Sequence, residues 1–158
     1  MINAQKKVSV DPFRARCHPT PEEAEQATLE IWMSQLPGAI ANNISRWGLD
    51  LPPERNGYSC FRFMDDISGP GVYLIGDFYI GRSKNIPTRF YDHSRCATCG
   101  TEHSAVSRGT NAFKSIYGKV RVPVFKISSD PKNEKRMIET AIICGLPLTN
   151  VNDLPKIY

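Results

Sequence analysis

The alternation of apolar and polar residues divides the chain into stretches of different character. Residues 1–19 carry Pro12 and Pro19 and show no periodicity, which predicts an extended arm. Thr20-Pro21-Glu22-Glu23 makes a helix start. It offers a capping hydroxyl, a proline where a missing N–H is no loss, and acids that favour the positive end of the helix dipole. Ala24, Ala27, Leu29, Ile31 and Trp32 give that helix an apolar side to about Leu36, and Pro37-Gly38 predicts its end. A second helix is expected over roughly 39–47, closing at Trp47-Gly48. Past a proline-rich link at 51–55, YSCFRFM (58–64) alternates as a strand.

The second half of the chain is more sharply punctuated. Gly69-Pro70-Gly71 leads into GVYLIGDFYIG, which reads as two short strands, 71–75 and 78–81, joined by a tight turn. A strict two-residue turn would pair Ile75 with Phe78 and put Tyr73 and Tyr79 on opposite faces. A three-residue connection pairs Ile75 with Tyr79 and Tyr73 with Gly81. The second register is preferred because it gathers Val72, Leu74, Phe78 and Ile80 on one face and both phenols on the other, expected to be the polar one. A helix follows near Asn85-Ile86-Pro87, capped by Ser83 or Asn85, and a short helix is expected over 110–117. VRVPVFKI (120–127) alternates as a strand that Pro123 would confine to an edge or a bulge. A last helix runs from 131 or 133 to Cys144 and stops at Gly145. The fold class expected is α+β, a small three-stranded antiparallel sheet flanked by helices. Residues 1–65 form a mainly helical N-terminal extension and 66–158 the main domain.

Composition adds three constraints. No apolar run approaches the ~20 residues of a membrane span, and the first residues lack the apolar core of an export signal. The expected location is therefore intracellular. Five cysteines, an odd number irregularly spaced, argue for reduced thiols. Charge is uneven: 79–126 carries nine Lys/Arg against two acids, whereas 1–65 is nearly balanced. A basic stretch of this kind suits a polyanion, most simply nucleic acid, with Arg82, Lys84, Arg95, Arg108 and Lys114 as candidate contacts.

The chemistry-bearing residues are Tyr73 and Tyr79, then Arg89 and His93 four apart on one helix face, then Glu139 on a helix whose core side is Met137, Ile138, Ala141 and Ile142. A lone carboxylate beside an apolar seam asks for a metal ion or a cationic partner. His93, Cys96, Cys99 and His103 also form an H-x2-C-x2-C-x3-H cluster with the spacing of a soft-metal site, which competes with a reading as a reduced thiol pair.

Gly71-Val72-Tyr73, Tyr79-Ile80-Gly81, Arg89-x3-His93, Glu139 and Asn150, in this order over about 71–152, resemble the GIY-YIG endonucleases. The departure is the short LIGDF spacer between the two signatures, where that family usually has about ten residues. The resemblance implies a divalent-metal-dependent DNA endonuclease that takes Mg²⁺ or Mn²⁺. Within it Tyr73 is the general base, helped by Tyr79 and His93, and Arg89 clamps a phosphate oxygen. Glu139 ligates the metal, Asn150 orients the site, and His103 is a candidate accessory residue, as a histidine in this region is in some relatives. A compact chain without an obvious separate DNA-reading domain leads to the expectation of a stand-alone nuclease, phage-encoded or bacterial. One active site cuts one strand, so cutting both needs a homodimer or two successive events. The competing expectation is a binding module that holds nucleic acid or a protein on the same fold without cleavage.

Overall fold

The computed structural model describes residues 20–48, 61–91, 105–118 and 120–152. Helix α1 spans Pro21–Gly48, with the Thr20 hydroxyl accepting from Glu23 N at 3.1 Å as its cap. Strand β1 is Phe61–Phe63, β2 Gly71–Ile75 and β3 Tyr79–Ser83. Helical residues 86–91 form α2. Helix α3 is Ala105–Tyr117, β4 Val122–Ser128, α4 Glu134–Ile143 and α5 the single turn Thr149–Asn152.

The sheet departs from expectation in having four strands in the order β1-β4-β2-β3, with β1 parallel to β4 and the other pairs antiparallel. The expected antiparallel trio is there, and the Phe-Arg-Phe alternation of β1 extends it by burying Phe61 and turning Phe63 toward Phe90. Met64 N donates to Val124 O at 2.8 Å and closes that parallel pair. β4 is therefore an interior strand despite Pro123. Within a strand the N–H and C=O of one residue point to the same side, and Pro123 O accepts from Gly76 N at the hairpin turn. The missing donor thus faces the place where β2 ends, and the β1 side loses nothing.

Helix α1 also overrides its break signal, since Pro37 lies inside one continuous helix. An interior proline costs ~3 kcal/mol, but fully burying a Leu, Ile or Met side chain returns ~1.5–3 kcal/mol each. Leu29, Met33, Leu36 and Ile40 are all buried on the same core across the proline, so packing wins. Trp32 meets Phe125 of β4 edge-on at 5.7 Å. α4 lies beside α1, tied by Gln26 Nε2 to Thr140 Oγ1 at 2.6 Å and by the Arg136–Glu25 ion pair.

Helix α4 ends as its sequence predicts. Gly145 has φ +82°, its N–H reaches Ile142 O at 3.0 Å, and Leu146 N reaches Ala141 O at 3.0 Å. This paired closure satisfies two terminal carbonyls. No helix among the described residues is long and apolar enough to cross a membrane.

Pro37→Ala restores a backbone donor in a helix that is already formed. The free energy of urea unfolding should rise by about 1–3 kcal/mol; an unchanged or lower value would show that the proline is relieved by local geometry.

Candidate active site

The hairpin adopts the three-residue register. Ile75 pairs with Tyr79, Leu74 with Ile80 and Tyr73 with Gly81, and the turn is closed by Phe78 N to Ile75 O at 3.1 Å, with Gly76 at φ +57°. Both tyrosines therefore share one face, with their rings stacked at 6.4 Å and 20°. That face is not a polar surface, however. Tyr73 is 0% exposed, and Phe90 of α2 stands against its ring at 5.1 Å.

The two glycine signatures have a steric origin. A Cβ on Gly81 would lie 2.5 Å from Tyr73 Oη and 2.7 Å from its Cζ, so the ring crosses the strand where a side chain would otherwise stand. A Cβ on Gly71 would collide with Ser128 O and come within 2.9 Å of Lys126 Cε. Each glycine permits a close approach that no other residue allows.

Helix α2 supplies the cation. Asn85 opens it, its side-chain oxygen accepting from Thr88 N at 3.4 Å, and Ser83 braces the approach. Ile86 N donates to Gly69 O at 3.0 Å, which ties the helix start to the loop before β2. Ile86 and Phe90 are buried while Arg89 between them is exposed, and its guanidinium bonds both phenols. Burial pushes the Tyr73 hydroxyl well above the ordinary phenol range, with a further push from Tyr79; the nearby Arg89 only partly offsets these. For Arg89, burial disfavours the charge, but the two phenols outweigh it and raise its pKa.

The carboxylate on this cluster is Glu134, which adds to the upward push on Tyr73 and sits 3.5 Å from Arg82 Nε. Glu139 is exposed. At 100° per residue it points away from the side of α4 that buries Met137, Thr140 and Ala141, so the expected apolar seam does not surround it. The sequence carried a signal for Glu134: it follows Asp130 as the second acid after β4 and is the one that falls in the first turn of the following helix.

Asn150 reaches the site through the backbone. Its Nδ2 donates to Ile80 O at 2.7 Å, beside Thr149, whose N–H donates to Phe78 O at 2.6 Å and whose hydroxyl proton is shared between Phe78 O and Ala105 O, both at 3.0 Å. Of the basic candidates, Arg82 and Lys84 lie at the Gly81 end of β3 and are exposed. Arg108 and Lys114 belong to α3, which packs through Gly109 and Phe113 on Phe78 at the turn end. His93, Arg95, Cys96, Cys99 and His103 lie outside the described residues. Among the described residues no three His, Cys, Asp or Glu side chains converge.

No protein-family model, no curated protein and no solved structure matches this chain.

Gly81→Ala should displace the Tyr73 ring and lower stability by about 1–3 kcal/mol, read from urea unfolding. Stability should also fall at high pH in a defined way. A phenol whose folded pKa is raised contributes fully below its unfolded value of about 10. That contribution is lost as pH rises from there through the folded value. Tyr73→Phe should flatten the alkaline limb of a stability–pH curve; a curve with the parent's slope would exclude Tyr73 as its source.

Proposed function

We propose that the chain is a divalent-metal-dependent endonuclease that hydrolyses phosphodiester bonds in DNA. The observation that carries this reading is the single guanidinium of Arg89 bonded to two stacked phenols on one face of the β2–β3 hairpin, with the carboxylate of Glu134 at the start of α4 acting on Tyr73. Phosphodiester hydrolysis needs a clamp for the non-bridging oxygens, a group to accept the proton of water, and stabilisation of the leaving 3′ oxygen. A planar guanidinium suits the first task, and a phenol linked to it is a candidate for the second. The ordered Tyr, Tyr and Arg positions are those that resemble the GIY-YIG endonucleases.

A metal would be held by Glu134 in preference to Glu139, because the charge of Glu134 is felt at Tyr73 and its side chain is only 29% exposed, whereas Glu139 is exposed. One carboxylate is a sufficient protein ligand for Mg²⁺, which keeps several waters and takes substrate oxygens. When bound, such an ion supplies positive charge at the scissile phosphate. Arg82 and Lys84 at the Gly81 end of β3, with Lys132 and Lys135 on either side of Glu134 in the chain, give the surroundings the positive charge a phosphate backbone requires.

The second reading, a DNA-binding module without cleavage, is favoured by the complete burial of Tyr73. Supercoiled plasmid with Mg²⁺, Mn²⁺ or EDTA separates the two. Metal-dependent nicking is expected, lost in Arg89→Ala and Glu134→Ala and kept in Glu139→Ala. Loss in Glu139→Ala with retention in Glu134→Ala would return the ligand to Glu139, and binding without any cleavage would establish the module.

A further inference from the structure

We infer that the two phenols have unequal roles: Tyr79 is the one that touches a bound phosphodiester, and Tyr73 is a positioning residue that holds Arg89 from behind. This deepens the nuclease reading and rests on it. The expectation from resemblance is the reverse, with Tyr73 as the group acting on water.

Access separates the two side chains. Tyr73 is 0% exposed and closed in on three sides. The Cα of Gly81 lies against its hydroxyl end, Phe90 stands across the ring at 5.1 Å, and Tyr79 covers it at 6.4 Å in a stacked arrangement. A phosphate oxygen or a water can reach the Tyr73 hydroxyl only if Phe90, Tyr79 or the β3 backbone moves aside. Tyr79 sits on the edge strand, half-buried, and shares the same exposed Arg89. A phosphodiester arriving at Arg89 therefore meets Tyr79 first. Burial also keeps the Tyr73 hydroxyl protonated through the neutral range, which suits an anchor for a guanidinium better than a proton acceptor.

The rings also depend on each other in one direction. Tyr73 is held by the β3 backbone, Phe90 and Tyr79, whereas Tyr79 is half-buried, stacks on Tyr73 and bonds Arg89. A rigid buried ring beneath a half-exposed one holds the reactive phenol in place without itself meeting the substrate.

Tetranitromethane modification of the full chain, mapped by mass spectrometry, tests this directly. The reaction is run in EDTA with and without a fluorescent 20-base-pair duplex, and Tyr91, 58% exposed, serves as the internal positive control. Tyr79 should be nitrated and slowed about 5-fold or more by the duplex, and Tyr73 should stay unmodified in both samples. Nitration of Tyr73, or a Tyr79 that resists the reagent, overturns the assignment. Anisotropy of the same duplex separates the two ways of failing. Absence of binding removes the nuclease reading together with this one, whereas binding without protection of Tyr79 removes only the division of roles. In cleavage, Tyr79→Phe should lower kcat about 100-fold or more. Tyr73→Phe should act mainly through a KM raised about 3–10-fold as the Arg89 clamp loosens. The opposite split also overturns the assignment.

Discussion

The contact between the Tyr73 ring and the bare Cα of Gly81 constrains the rest of the structure. A ring can cross an adjacent strand only where that strand has no side chain, so the pair must be in register. That register fixes a three-residue turn at 76–78. The ring then needs a lid on its outer face, which Phe90 supplies, and Phe90 in turn needs Phe61 and Phe63, each edge-on to it at 5.4 and 5.3 Å. Arg89 is the neighbour of Phe90 in the chain. Its charge is delivered to the phenols by the same packing that seals Tyr73.

Parts of this were legible in the sequence because they follow from local rules. The hairpin register could be chosen from the sorting of phenols and aliphatics alone, and the end of α4 from a glycine placed to adopt a left-handed conformation. From sequence, Trp32, Trp47 and Phe63 are candidates for packing on the main domain; Trp32 and Phe63 do so, and the Trp47 side chain lies outside what is described. Other features follow only from tertiary packing. Pro37 reads locally as a stop, and only the apolar surface waiting for Leu36 and Ile40 outweighs it. Pro123 reads as an edge, and only the direction of one missing N–H makes it tolerable inside. β1 is three residues long and finds its place through a parallel pairing some sixty positions away, at Phe61 to Val122.

The carboxylates teach the same lesson at the scale of one helix turn. Glu134 and Glu139 are five residues apart, which is about 140° out of phase, so one is half-buried beside Arg82 and the other is exposed. Choosing between them needs the phase of α4, and that phase is set by Met137, Thr140 and Ala141 entering the core. The polar face expected around the phenols failed for a related reason. A tyrosine brings a large apolar ring with its hydroxyl, and the aromatic residues of β1 and α2 claimed the ring.

The short α5 turn bears on how copies of this protein can meet. β3 is the outer strand of the sheet, and an outer strand is a template to which another chain can add. Here Phe78 O and Ile80 O, the acceptors such an addition would need, are already taken by Thr149 and Asn150. Thr149 also bonds Ala105 O at 3.0 Å, so the same clasp fastens the strand to α3. A strand adding to this edge beside Tyr79 would have to compete with that clasp for the two carbonyls.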